Sequence, residues 1–403
     1  MHDFAAKLRQ PSLWPHVVDY LKWQRALRAA VAEGRSLPQT PALVPLSINL
    51  DLTTACNYAC DHCIDWDILN QPTKHLEQEL VDSIRLMAAR GLKSIILIGG
   101  GEPTLYPGFV SFVRMAKELG LQIAVVSNGS RNEKILEIAP YLDERDWVRL
   151  SLDSGTNATF QRMHNPSKKS LTLDEICAWI PKIREVNPKP TLGFSFIITW
   201  RGAQRDDVKV VENLDEIVLA TERARNAGFS YISFKPFLER SDKGSEVMDP
   251  EHAEEELAGV LRRIRVLVDE AKKLERPGFR VLESTNLRLL MENRWREYTN
   301  QPHVCHFQAL RQVLSPIGTY NCPAYRGVGY AKVGEKDAYK DEANLARTSS
   351  ATEGLLRHFD AAKECREVTC LYNGANWWLE RLIESGTDLD TVELAEERRD
   401  WFL

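Results

Sequence analysis

Short apolar runs and amphipathic stretches alternate six times between Ser47 and Leu238, and this rhythm restricts the fold more than any other property of the chain. The strand candidates are Ser47–Leu52, Ser94–Ile98, Gln122–Ser127, Trp147–Leu152, Leu192–Thr199 and Phe229–Phe234. Helical patterns lie between them at Leu76–Arg90, Phe109–Leu119, Glu133–Tyr141, Leu173–Val186 and Val211–Asn226, several closed by a glycine such as Gly91, Gly120 or Gly228. Strand, helix, strand in succession implies right-handed crossovers and a parallel sheet. The strands are apolar enough to need cover on both faces, from helices on one side and a filled or ligand-bearing interior on the other. The expected fold is α/β: a partial (βα)6 TIM-like barrel with its site at the C-terminal strand ends.

The flanks read differently. Residues 1–45 form a helical N-terminal extension, with a helix over Val17–Ala32 and a stiff linker holding Pro38, Pro41 and Pro45. The barrel covers 46–240. Connecting helices fill 241–300, at Pro250–Leu274 and Asn286–Tyr298. Residues 301–376 are turn-rich and form a small α+β unit, and 377–403 is a helical tail with helices at Trp377–Ile383 and Leu389–Phe402. No internal repeat or low-complexity tract appears.

Composition narrows the functional classes. With 43% apolar and 27% charged residues the chain reads as an ordinary globular protein. A net charge of −5 argues against a protein that coats nucleic acid. No apolar run reaches the ~18 residues of a bilayer span, and MHDFAAKLRQ lacks the apolar core of a secretory signal. The expectation is a cytoplasmic protein, in which the 8 cysteines form no disulfide framework.

Those cysteines are grouped. Cys56, Cys60 and Cys63 form a CxxxCxxC directly after the first strand, Cys305, Cys322, Cys365 and Cys370 lie in the last quarter, and Cys177 stands alone mid-helix as a core thiol. A structural zinc site wants four N or S ligands, and His62 is the nearest fourth donor to the first group. A [4Fe–4S] cluster on three thiolates instead leaves one iron open to a small chelate. The turn after the second strand, Gly99-Gly100-Gly101-Glu102-Pro103, lets backbone approach a ligand and offers a carboxylate to an ammonium group.

CxxxCxxC followed by this glycine-rich turn resembles the radical S-adenosylmethionine (SAM) superfamily, over about residues 47–238. The resemblance implies that Cys56, Cys60 and Cys63 hold a catalytic [4Fe–4S] cluster. Its open iron binds SAM, an external one-electron donor such as flavodoxin or ferredoxin reduces it, and a 5′-deoxyadenosyl radical then abstracts hydrogen from substrate. It also implies SAM contacts from Gly100, Gly101 and Glu102, and from Asn128 in Ser127-Asn128-Gly129. Ser151 and Asp153 would reach the ribose, Arg162 the carboxylate, and His62 would lie near the adenine.

The string from Val313 to Pro323 reads as a hairpin with a Pro/Gly turn. Cys305, Cys322, Cys365 and Cys370 have enough ligands to close one metal centre, either a zinc ion or a cluster. Behind such a barrel they resemble the auxiliary-cluster "twitch" domain, a shorter relative of SPASM, which implies a second [4Fe–4S] cluster, although the CxxxxC close departs from the usual spacing. Substrate-facing candidates are Asp65, Trp66, Asp67, Trp200, Arg201, Lys235, Glu239, Tyr325 and Arg326. The leading expectation is a radical SAM enzyme, an oxidoreductase acting on a small polar substrate. Peptide modification and cofactor maturation are the rivals within the class; the first 45 residues are too short for a leader-binding domain, and no cobalamin-binding domain precedes the barrel. A zinc-binding interaction protein is the rival outside it. The sequence does not identify the substrate.

Overall fold

The computed structural model describes residues 3–69, 71–205, 207–241, 243–248 and 254–403. Six strands fall where the alternation predicts: β1 Ser47–Leu50, β2 Ser94–Leu97, β3 Gln122–Ser127, β4 Trp147–Ser151, β5 Thr191–Ile198 and β6 Tyr231–Pro236. Each pairs in parallel with the next in chain order. Ile48, Leu50, Ile95 and Leu97 are buried against Ile84 and Met87 of helix Glu77–Ala89 and Phe112 and Val113 of helix Phe109–Glu118. Full burial of such side chains contributes about 1.5–3 kcal/mol each before ordering costs. Cys177 lies in this core, as expected.

A seventh parallel strand, β7 Arg280–Glu283, continues the sheet beyond β6 after the helix Glu254–Lys272. The segment expected to hold only connecting helices therefore adds another βα unit. The expected start of that helix at Pro250 lies outside the described residues. The second helix there is shorter than expected: Thr285–Met291, then a separate turn at Trp295–Tyr298.

On the opposite edge, β8 Arg311–Ser315 pairs in parallel with β1, with Ser47 opposite Arg311 and Leu50 opposite Leu314. β9 Gly318–Tyr320 pairs antiparallel with β8, the expected hairpin, and β10 Lys332–Gly334 adds a further antiparallel strand beyond it. The C-terminal unit and the barrel thus share one ten-stranded sheet.

Three helical expectations change. Leu173–Val186 splits into Leu173–Cys177 and Trp179–Val186; Pro181 has no N–H for the Cys177 carbonyl. Glu342–His358 is a helix inside a segment expected to be irregular. Its buried face includes Thr348 and Thr352, whose hydroxyls donate to the carbonyls of Ala338 and Thr348, so an inward face reads as polar in the sequence. Beyond a short turn at Leu389–Thr391 the tail is not helical. It runs extended beneath the barrel, where Ser94 Oγ donates to the Trp401 carbonyl at 2.8 Å and Phe402 packs on Ile96, Ala124 and Trp147. Burying Phe402 there overrides the helix propensity of its charged neighbours. The helix Trp14–Ala32 packs on Asn373–Ser385, where Arg28 meets Glu380 at 2.7 Å. Among the described residues no helix is long and apolar enough to cross a membrane.

Candidate functional site

The loop leaving β1 carries Cys56, Cys60 and Cys63, all half-buried free thiols. It is held on three sides. Glu102 N donates to the Ala55 carbonyl at 2.8 Å, and Ala59 N and Asp61 N donate to the carbonyls of His164 and Met163 at 3.2 and 3.1 Å. Arg205 Nη1 donates to the Cys60 and Cys63 carbonyls at 3.1 and 3.4 Å, with its guanidinium over the Trp66 ring. Burial pushes the Cys56 thiol up to about 11 and Cys63 to about 12. Cys60 is raised further, by burial and by the two neighbouring thiols. Any metal held here must displace those protons.

Beside Cys60 lies a polar knot formed by His62, Asp153 and His164. His164 Nδ1 is 3.3 Å from Cys60 Sγ, and its Nε2 is 3.0 Å from the Leu152 carbonyl. His62 Nδ1 meets Asp61 at 3.0 Å and its Nε2 meets Asp153 at 3.2 Å. Burial disfavours the charged form of both rings. For His62 the two carboxylates more than offset it, lifting the pKa to about 9, whereas His164 falls to about 4. His62 is therefore an imidazolium and His164 neutral, its Nε2–H given to Leu152 and Nδ1 left facing the thiol. Asp153 adopts φ 45°, a left-handed conformation unusual outside glycine. His164 was not legible in the sequence: it sits 104 residues from Cys60 and belongs to no local motif.

The glycine-rich turn is packed against this loop. A side chain at Gly101 would collide with the carbonyl oxygens of Thr53 and Ala55, and one at Gly100 would lie 3.3 Å from Asp51. Glu102 is buried, accepting from Ser127 Oγ at 2.8 Å and Asn128 N at 2.7 Å. Burial raises its pKa while these donors oppose the rise. Asn128 Nδ2 donates to Asn57 at 2.9 Å and lies 3.9 Å from Cys56 Sγ. Gly100, Gly101, Glu102, Asn128, His62 and Asp153 are thus gathered around the cysteine loop, and Ser151 stands on β4 just before them. Arg162 is not brought in: it is exposed on helix Asn157–His164, whose Met163 and His164 face inward.

Cys305, Cys322, Cys365 and Cys370 line a single cavity together with Arg311. Burial raises all four thiols, and each feels at least one of the others except Cys322, where Arg311 opposes the rise. Tyr325, expected near substrate, is instead buried, its hydroxyl donating to the Glu364 carbonyl at 2.6 Å. Arg326 is also turned inward and joins the two cysteine regions: Nε meets Asp51 at 3.0 Å and Nη1 meets Asp65 at 2.9 Å. Asp65 also takes Arg240 at 3.1 Å, so it is an internal ion-pair partner. Of the other candidates, Trp66 is exposed under Arg205, and Arg201 is 92% exposed beside Glu212. Lys235 points into the barrel, where Nζ donates to Ser195 Oγ.

The model of the Radical SAM superfamily matches residues 50–214. An S-adenosylmethionine-dependent nucleotide dehydratase of Selenomonas ruminantium is 28% identical over 243 residues, 56% of this chain and 84% of that protein. The sporulation killing factor maturation protein SkfB of Bacillus subtilis is 32% identical over 116 residues, 28% of each chain. Among solved structures, Streptococcus suis SuiB bound to S-adenosylmethionine superposes with a TM-score of 0.52 at 14% identity, covering 76% of this chain and 68% of that one. Such low identity shows a shared fold, and it is the partial barrel described above. With its three-cysteine loop at the C-terminal end of β1, this chain carries a radical SAM domain over residues 50–214.

Proposed function

We propose that the chain is a two-cluster radical SAM enzyme that oxidises a small polar substrate. Cys56, Cys60 and Cys63 would hold a [4Fe–4S] cluster and, at its open iron, SAM. Bound there and reduced by a donor such as flavodoxin or ferredoxin, this pair supplies a 5′-deoxyadenosyl radical. Cys60, His62 and His164 lie with their donor atoms within 4.8 Å of one another, but both His62 nitrogens are taken by carboxylates, so the three thiols, with His164 Nδ1 beside Cys60, are the donors the loop offers to a cluster. Glu102, with Gly100, Gly101 and Asn128, would receive the SAM amino group, Ser151 and Asp153 the ribose and His62 the adenine side; Arg162, exposed on its helix, is left out of this set. Cys305, Cys322, Cys365 and Cys370 would saturate a second [4Fe–4S] cluster in a twitch-like unit, leaving no iron for substrate. That cluster could then accept the electron of a net two-electron oxidation. Free thiols in these numbers suit the reducing cytoplasm.

The observation that carries this reading is the division of seven of the eight free cysteines between two sites, one in the loop after β1 and one lining a single cavity. Iron analysis of anaerobically reconstituted protein tests it. The expectation is about eight irons per chain, falling to about four when Cys56, Cys60 and Cys63 are all replaced by Ala. With a reductant the wild type should release 5′-deoxyadenosine from SAM. Zinc without iron would overturn the proposal.

A further inference from the structure

Besides Ser151, placed above at the SAM ribose, the inner faces of β4, β5 and β6 carry polar side chains that neither cysteine site uses. Val148 and Leu150 pack outward into the helix-facing core, so Arg149 and Ser151 point into the barrel. By the same alternation Ser195 on β5 and Ser233 and Lys235 on β6 point inward, between the outward Phe194, Ile232 and Phe234. Across the sheet Ser151 lies opposite Ser195, and Ser195 opposite Ser233. Lys235 Nζ donates to Ser195 Oγ at 3.0 Å. Arg149 lies 5.2 Å above the Trp147 ring, and its buried Nε has no hydrogen-bond partner among the described residues.

The carboxylates nearby are committed elsewhere. Asp153 is held by His62 and by the Ile197 N–H, and Asp51 and Asp65 are held by Arg326. Two cations therefore share one interior without a carboxylate of their own. Burial and the nearby Arg149 both depress the Lys235 pKa, and Asp153 offsets only part of this. Like charges gathered in a low-dielectric interior are unfavourable, and an anion lodged between Arg149 and Lys235 would relieve them. The lower end of the barrel is closed by Phe402 on Trp147, Ile96 and Ala124. An anion must enter from the C-terminal strand ends, past the loop that carries Cys56–Cys63.

We infer that Arg149, Lys235 and Ser195 form a recognition site for an oxyanion of the substrate, a phosphate or a carboxylate group. The inference rests on the enzyme reading above and narrows its substrate to an anionic small molecule, bound with its charged end deep in the barrel and the remainder toward the three-cysteine loop. Arg supplies a planar fork of donors for such a group, and Lys a point charge.

The test is calorimetric titration of the anaerobically reconstituted full chain with inorganic phosphate, pyrophosphate and acetate, SAM being saturating so that its own carboxylate is already accommodated. Saturable one-to-one binding is expected, weakened at least tenfold in Arg149→Gln and in Lys235→Met. Binding of phosphate or pyrophosphate assigns a phosphorylated substrate; binding of acetate alone assigns a carboxylate. A melting measurement guards against misfolding: Lys235→Met keeps volume and removes a buried charge, so in anion-free buffer it should melt at or above the wild-type temperature. No saturable anion binding, or equal binding in the variants, would overturn the inference. So would a variant several degrees less stable that still binds anion, because Lys235 would then be structural. If the wild type holds no iron or SAM, the enzyme reading fails instead, and anion binding still decides this one.

Discussion

Replacing Arg326 by Met should unpin the C-terminal cysteine region from the first. Arg326 is 5% exposed and its partners Asp51 and Asp65 are 0% and 9% exposed. Removing one partner of a buried ion pair costs about 3–5 kcal/mol, because the other charge is left uncompensated. Asp65 retains Arg240, so the orphan is Asp51. Burial already pushes Asp51 up to about 7 against the opposing pull of Arg326; without Arg326 its pKa must rise further. A carboxyl whose folded pKa lies above its unfolded value binds its proton more tightly when folded, so stability is lost as pH rises through the folded value. The extra loss in the variant appears only above the wild-type value: its deficit should be constant below about pH 7 and grow toward pH 9. Thermal melts followed by circular dichroism at about pH 6 and about pH 8.5 should show a Tm lower by roughly 4–6 °C at the higher pH and by less at the lower. Adding Asp51→Asn should recover part of the loss, since a neutral amide replaces the stranded charge. A Tm within about 2 °C of wild type at about pH 8.5, or no recovery in the double variant, would refute the account of Arg326 as a buried pin.

Glu102→Ala strands the donors of Ser127 and Asn128 and should cost about 2–4 kcal/mol of stability, whereas Glu102→Gln costs less. The Gln variant should nonetheless bind SAM roughly tenfold to a hundredfold more weakly, and unchanged affinity by equilibrium dialysis would remove Glu102 from the SAM site. Phe402→Ala should lower stability by about 3 kcal/mol, read as a shifted urea midpoint with unchanged slope, because the base of the barrel is left with a void. Cys365→Ala should keep 5′-deoxyadenosine formation while lowering oxidised product, measured as the ratio of the two; a proportional fall in both would deny the second cluster a role in electron removal.

Whatever is written in local pattern could be read from the chain alone. Six parallel strands were legible because each is a short apolar run bounded by turns, and a strand–helix–strand succession has one favoured handedness. The three-cysteine loop was legible because its chemistry lies within eight residues, from Cys56 to Cys63. Folding settled what depends on distant residues meeting. β8 joins β1 across more than 260 residues, a pairing with no local signal. The tail over Leu389–Phe402 reads as a charged helix, yet burial of Phe402 beneath the barrel outweighs its propensity. Tyr325 and Arg326 follow a hairpin that could face a cavity, but two buried carboxylates draw Arg326 inward. His164 and Arg149 look like ordinary helix and strand residues until the fold sets one beside Cys60 and the other inside the barrel with Lys235. Their surroundings come from strands and loops far apart in the chain, so only the assembled sheet gives them a chemical role.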